Sequence, residues 1–268
     1  VGGPSDALRC GRLGGIDVAF LPRHGRGHRL SPSEINYRAN IDALKRIGVT
    51  DLISISAVGS LKEELAPGTF VLIDQFIDRT VARAKTFFTG GCVAHVGFAD
   101  PVSPGLVDRL EAAARAEDVA HVRGGTYVVM EGPQFSTRAE SELHRGWGAS
   151  VIGMTAMPEA KLAREAELCY ASVAMVTDYD CWHAAHGDVD VPSVLRVMAE
   201  NRAKAQALIA RVIRDMPPEH PPCPIGSDRA LDHAIITAPE AIDPAAAARL
   251  AVVAGRVLAK MAPGARAG

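Results

Sequence analysis

The sequence lacks what several classes of protein require. No apolar run in its 268 residues approaches the ~20 that a membrane-spanning helix needs. Neither sign of charge is in excess. Lys and Arg number 29 and Asp and Glu 31, a formal net charge of -2, whereas a nucleic-acid partner leaves a basic imbalance. Cysteine is sparse and odd in number: Cys10, Cys92, Cys169, Cys181 and Cys223 have no tight spacing and do not read as a disulfide framework. The stretch Val1 to Asp6 has neither a basic start nor an apolar signal core. A reducing, cytoplasmic location is the expectation. Two phosphate-loop signatures are also missing. Gly-x4-Gly-Lys-Ser/Thr does not occur, and Gly25-x-Gly27 is followed by Leu30 where a dinucleotide fingerprint has glycine. There is no internal repeat.

What is present is the balance of a globular chain, 48% hydrophobic and 22% charged. Short apolar runs predict strands at Ile16 to Leu21, Leu52 to Ser56, Phe70 to Ile73, Thr126 to Met130, Val151-Ile152 and Cys169 to Val176. Between them lie helical patterns. One starts at a Ser31-Pro32-Ser33-Glu34 capping box, runs through Ile41, Leu44 and Ile47, and stops at Gly48. Others cover Leu106 to Ala116, Arg138 to Arg145, Pro158 to Glu165, Val191 to Ile213 and Ala245 to Lys260. The interleaving predicts one α/β domain with helices on both faces of a sheet. The proline cluster at 217–224 predicts a stiff connection to a last helix that packs back on the body.

In open α/β sheets ligands collect beyond the C-terminal ends of strands. Four polar clusters are placed there: Arg23-His24, Ser56-Ala57, Phe135-Ser136 and Asp178-Tyr179-Asp180. Arg23, His24, Arg26 and His28 flank glycines directly after a strand, a composition that fits either phosphate recognition or a solvated basic turn. Asp178 and Asp180, two apart in extended chain, project to one side. Two neighbouring carboxylates raise the pKa of one, which suits it to general-acid work, although an acidic turn reads the same way. Phe135 can stack on a planar ring and Ser136 can hydrogen-bond it, or they are core and helix cap. Met154 before Thr155 fits packing equally well. Cys181, His183 and His186, with Asp188 and Asp190 nearby, lack the second ligand pair of a closed zinc site. Trp182 falls where a calcium loop needs its third acid. No metal is expected in this stretch.

The order and wording of these stretches carry more than each alone. Arg23-His24-Gly25-Arg26, Asn36 to Asn40, Gly59 to Glu64, Ile73 to Thr80, Glu131 to Ser141, Met154 to Glu159 and Thr177 to Trp182 run in one order over most of Asp6 to Ile213. In them the chain resembles the methylthioadenosine phosphorylase branch of the trimeric purine nucleoside phosphorylases. The resemblance implies a twisted mixed sheet, partly closed as a barrel and surrounded by helices, in a homotrimer with sites at subunit boundaries. It implies that inorganic phosphate, a co-substrate, attacks the anomeric carbon of a nucleoside with no metal or organic cofactor. Arg23, His24, Ser56 and Thr155 would hold phosphate, with the Ala57 backbone beside it. Met154 would pack on the ribose, and Phe135 and Ser136 would line the base. Asp178 would protonate N7 and Asp180 would meet the exocyclic amine. His95 would cross from a neighbouring subunit to cover the 5′ substituent, and Val194 would line the methylthio pocket. Relatives that cleave 6-oxopurines carry an amide at the position of Asp178, so the carboxyl implies adenine-type bases. The resemblance also places a strand and a Gly-rich phosphate loop before the stretch given, and puts Asn where Gly153 stands.

Overall fold

The structure, a computed structural model, describes residues 2–184 and 190–261. A hairpin of β1 (Arg9–Leu13) and β2 (Ile16–Phe20) leads into the main sheet. That sheet is built from β3 (Asp51–Ser60), β4 (Phe70–Leu72), β5 (Gln75–Asp78), β6 (His121–Arg123), β7 (Thr126–Val129), β8 (Val151–Gly153) and β9 (Cys169–Asp178). Its strand order is β5-β7-β8-β3-β9-β4-β6, with β4 antiparallel to β9 and β8 antiparallel to β3, so the sheet is mixed.

Short connections force this sheet to curl. β4 and β5 are separated by Ile73 and Asp74 alone, yet β5 forms one margin and β4 lies next to the other. Likewise only Gly124 and Gly125 separate β6, at one margin, from β7, next to the opposite one. In a flat seven-stranded sheet the margins would stand roughly 29 Å apart. A two-residue link spans no more than about 10 Å. The margins therefore meet, and the sheet closes partway into a barrel. The seam is fastened where Gly125 N–H donates to Asp74 Oδ1 at 3.0 Å and Gly124 N–H donates to Leu72 O at 2.9 Å.

β9 is buried at every position but Asp178, as expected of a central strand covered on both faces. Its residues alternate between two cores. Cys169, Ala171, Val173 and Met175 pack with α2 (Pro104–Ala116) and α5 (Val191–Arg214). Tyr170, Ala174 and Val176 pack with α4 (Ala156–Glu165) and α6 (Pro244–Met261). α1 (Tyr37–Arg46) joins the second core through Tyr37 and Ile41, and α3 (Arg138–Gly146) follows the loop after β7. Among the described residues no helix is long and apolar enough to cross a membrane.

Several sequence expectations are corrected. Half of the Ser31 capping box forms, with Ser31 N–H donating to Glu34 Oε2 at 2.9 Å, but Glu34 N–H donates to the Ser31 carbonyl and the bonds close a single turn. The helix begins at Tyr37, where the Asn36 side chain accepts from Ala39 N–H. β3 does not end at Ser56 but continues to Ser60, so Ser56 and Ala57 lie within the strand. Within α4 the backbone of Met157 is extended (φ -117°, ψ 134°), so regular helix runs from Pro158, as the sequence suggests. β1, β5 and β6 are strands that the apolar runs do not announce.

Candidate active site

β3 and β9 run parallel and in register from Asp51↔Cys169 to Val58↔Val176. The register then slips, so that Gly59 stands beside Asp178 while Gly59 and Ser60 turn to pair with β8. This slip opens the strands where β9 ends. Asp178 closes the strand, and Asp180 is left-handed (φ 52°), so the chain reverses between them. Strand alternation, the basis of the sequence expectation, does not reach Asp180. The turn brings the two acids together instead, and Asp180 N–H donates to Asp178 Oδ1 at 2.8 Å. Asp178 Oδ2 accepts from Thr177 Oγ1 at 2.7 Å. Burial raises the Asp178 carboxyl above its ordinary value, against these hydrogen bonds and with help from the charge of Asp180. Asp180 is raised too, again mainly by burial, although the nearby Ser141 and Ser136 hydroxyls pull it down. Both acids are thus shifted, where the sequence argument expected one. Asp180 Oδ2 is buried without a hydrogen-bond partner.

The loop after β7 covers this pair. Cys181 Sγ donates to Ser136 O at 3.4 Å, and Arg138 Nη1 donates to Cys181 O at 2.5 Å. Ser136 Oγ points at Met130 Sδ, 3.8 Å away, and Phe135 is 43% exposed.

The second half of the site lies back along β3. Ser54 and Ser56 share a strand face. Ser54 Oγ accepts from Arg23 Nη2 at 2.5 Å, and Ser56 Oγ is 3.4 Å from the Tyr127 hydroxyl. Arg23 is not the free cation that its flanking sequence suggests. Its Nε and Nη2 grip Glu159 at 2.7 and 2.9 Å, and Nη1 reaches Ile55 O at 3.4 Å. Glu159 in turn accepts from Tyr170 OH at 3.0 Å. One N–H of Nη1 is left for a ligand. His24 Nδ1 donates to Leu30 O at 2.8 Å and its ring stacks on His28 with centroids 4.0 Å apart. Burial lowers the His24 pKa, so the neutral ring presents Nε2 as an acceptor. Thr155, buried at the start of α4, lies close enough to the Tyr127 hydroxyl to act on it electrostatically. Gly153 has no space for a side chain, because a Cβ there would lie 2.2 Å from that hydroxyl. The phenol of Tyr127 occupies the place of an Asn side chain. Met154 follows, its carbonyl held by Arg83 Nη1 at 2.6 Å.

Ser56 and Gly59 are three residues apart, about 10 Å along a strand. That distance separates the Ser54 and Ser56 hydroxyls from the acid pair, and it is on the scale of a pentose. The arrangement offers anion-binding donors at one end and a protonatable carboxyl at the other.

The remaining expected residues lie outside this group. His95 is exposed, its backbone N–H donating to Ala234 O at 2.9 Å, in a separate cleft of about 390 Å³ with Phe88, Phe98, Lys161 and Glu165. Val194 is half-buried on the first turn of α5, which Asp190 caps. Of the stretch weighed for metal ligands, His183 pairs with Glu63 at 2.9 Å, and His186 and Asp188 lie outside the described residues. The sequence alone assigns no role to Gly59, Tyr127, Glu159, Ser141 or His144. Glu159 carries a signal, since it ends the Met154 to Glu159 stretch.

Fold and site together define a phosphorylase. A profile of the phosphorylase superfamily matches residues 3–214, and the chain belongs to that family. The S-methyl-5'-thioadenosine phosphorylase of Bradyrhizobium diazoefficiens is 66% identical over 257 residues, which cover 96% of this chain and 88% of that protein. A methylthioadenosine phosphorylase from an antarctic soil metagenomic library superposes with a TM-score of 0.88 at 47% identity, covering 93% of this chain and 88% of that one. The methylthioadenosine phosphorylase from Schistosoma mansoni, solved in complex with adenine, gives 0.76 at 38% identity, covering 78% and 80%.

Proposed function

We propose that this chain transfers a pentosyl group to inorganic phosphate, cleaving 5′-methylthioadenosine to adenine and 5-methylthioribose 1-phosphate. The observation that carries the reading is the half-buried Asp178 carboxyl, raised in pKa, about 10 Å along β3 from the Arg23 guanidinium and the Ser54 and Ser56 hydroxyls. The similarity to methylthioadenosine phosphorylases over nearly the whole chain supports the substrate.

In this mechanism a phosphate oxygen attacks the anomeric carbon as the glycosidic C–N bond breaks. The bonding pair moves onto the purine, and Asp178 delivers a proton to N7. The second N–H of Arg23 Nη1, Ser56 Oγ, Thr155 and the Ala57 backbone hold the phosphate. Neutral His24 accepts a hydrogen bond from a protonated phosphate oxygen. Glu159 keeps the Arg23 fork in place. Asp180 Oδ2, unpartnered inside the protein, accepts from the exocyclic amine of adenine. Phe135 and Ser136 line the base, and Met154 packs on the ribose. His95 of a second copy and Val194 enclose the methylthio group, which makes the working unit a homotrimer. Positioning and aimed charge supply the catalysis, and no cofactor is needed. The free state of all five cysteines supports a cytoplasmic location.

The test is a phosphorolysis assay with methylthioadenosine, adenosine, methylthioinosine and inosine, resolving free bases by chromatography. Adenine release that requires phosphate and is fastest from methylthioadenosine is the expected outcome. Faster release of hypoxanthine overturns the base assignment, and release from no nucleoside overturns the enzymatic one.

A further inference from the structure

Arg83, in the segment after β5, takes no part in the mechanism above. Only 1% of its side chain is exposed. Its shortest bonds go to backbone carbonyls. Nη1 donates to Met154 O at 2.6 Å and to Met157 O at 2.7 Å, and Nη2 donates to Glu131 O at 2.6 Å. Nε is 3.3 Å from Ser33 Oγ and 3.5 Å from Glu131 Oε1, and Nη1 is 3.3 Å from the Tyr37 hydroxyl. Ser33 Oγ donates to the same Glu131 oxygen, and Glu131 Oε2 accepts from Val81 N–H at 2.6 Å. Three segments distant in sequence thus meet on one side chain: residues 33–37 at the entry to α1, the start of the loop after β7, and the junction of β8 with α4. The last two carry residues of the candidate site. Glu131 opens the loop of Phe135 and Ser136, and Met154 and Thr155 form the junction. These two walls also press on each other, because a Cβ at Gly132 would lie 2.4 Å from Met154 Sδ.

We infer that Arg83 is a positioning residue for the nucleoside: it fixes the Met154 and Glu131 walls against which ribose and base are placed. The inference rests on the phosphorolytic reading above. Burying a guanidinium is costly, and an apolar side chain often serves a core as well. The one carboxylate partner of Arg83, Glu131, stands 3.5 Å away with its own side chain 25% exposed. What an apolar side chain lacks is a rigid plane of five donors, which sets the direction of each carbonyl it meets. Met157 shows the need. Its extended backbone (φ -117°, ψ 134°) takes its carbonyl out of the helical pattern, and Arg83 Nη1 supplies the donor. At Met154 the effect spreads along the chain. With that carbonyl held, the plane of the whole 154–155 peptide is held too. Lysine cannot replace this, because an ammonium is a single point and the three carbonyls are shared between two nitrogens. The bonds of Arg83 go to other walls than those carrying Asp178 and Ser56, on β9 and β3. Loss of the fork should therefore weaken nucleoside binding more than the chemical step.

Arg83→Lys keeps the charge and removes the fork. At saturating phosphate its KM for methylthioadenosine should rise about tenfold or more, with kcat within about threefold of the parent. Calorimetric titration with methylthioadenosine in the absence of phosphate should show the same loss of affinity, independent of turnover. Arg83→Ala adds a rescue. Its missing side chain opens into a cavity of about 240 Å³ lined by Ser33, Tyr37, Arg38 and Ala82. Guanidinium chloride, too dilute to unfold the chain, should lower the KM of this variant about threefold or more, and equal sodium chloride should not. A parental KM and affinity in Arg83→Lys overturn the inference, as does a fall in kcat at unchanged KM. So does a folded Arg83→Ala whose KM guanidinium leaves unmoved. If Arg83→Ala does not fold, the lysine variant decides. A parent that neither binds methylthioadenosine nor releases adenine removes the phosphorolytic reading and this inference with it. A parent that does both, beside an unaffected lysine variant, removes this inference alone.

Discussion

Gly59 has no room for a methyl group. A Cβ there would stand 2.9 Å from Asp178 Oδ1 and 3.3 Å from both Cβ and the backbone nitrogen of Asp180. Gly59→Ala therefore displaces the acid that protonates the base, and kcat should fall about 10²-fold with the circular dichroism unchanged. Asp178→Asn removes the proton donor itself. Adenine release should drop by about 10²-fold or more, with a relative gain for 6-oxo nucleosides in the same assay. The variant should also be more stable at alkaline pH. Burial raises the Asp178 pKa above 3.8, so the native state retains a proton that the unfolded chain releases. Stability of the parent falls as pH climbs from 3.8 through the raised value, and the asparagine variant escapes that loss. Thermal melts at a series of pH values should diverge upward and converge in acid. Both acids are legible in the sequence because they are neighbours in one short motif. Gly59, Tyr127 and Glu159 are not, because each acts through a partner far along the chain. Only the fold reveals that Tyr127 fills the space above Gly153 or that Glu159 occupies most of the Arg23 fork.

Among elements, the long strands and helices are legible because β-branched runs and 3.6-residue periods persist over many residues. β5 and β6 are too short to show a period, and β6 (His-Val-Arg) has one apolar residue. The Ser31 capping box does not mark the start of α1, because such a box reports a turn with the right hydrogen bonds, whether or not helix follows. β5 is fixed at the sheet margin by Asp78, whose Oδ2 accepts from Lys161 of α4 at 2.5 Å and from Lys85 at 3.1 Å. Burial pushes the Asp78 carboxyl up, but the bonds from Lys161, Thr80 and Lys85 outweigh it and hold the pKa at about 2. This stabilisation is complete above the ordinary value of 3.8 and is lost as pH falls toward 2. Asp78→Ala should cost about 1–2 kcal/mol at neutral pH, discounted because both lysines are about one-third exposed. Denaturant melts should show the difference shrinking in acid.

For the whole molecule, the decisive feature is the closure of the sheet, and composition could not announce it. Interleaved strands and helices are readable from the sequence, but the curl follows from two short links between distant margins. Gly125 sits in one of them at φ 150°, and a Cβ there would meet Ser150 Oγ at 3.0 Å and Val71 Cγ1 at 3.1 Å. Gly125→Ala should therefore cost about 1–3 kcal/mol, read as a lowered Tm. The β3/β9 pairing has a different consequence, for the growing chain. β3 is made early, but its partner along nearly its whole length starts only at Cys169. As the ribosome extends the polypeptide through α2, α3 and α4, that edge has nothing native to bind. Unpaired edges of this kind template wrong associations. Folding to completion must await the late strand, as in other topologies dominated by distant contacts. Nascent chains stalled before Cys169 should thus be held by chaperones or precipitate, and those released after Asp178 should not.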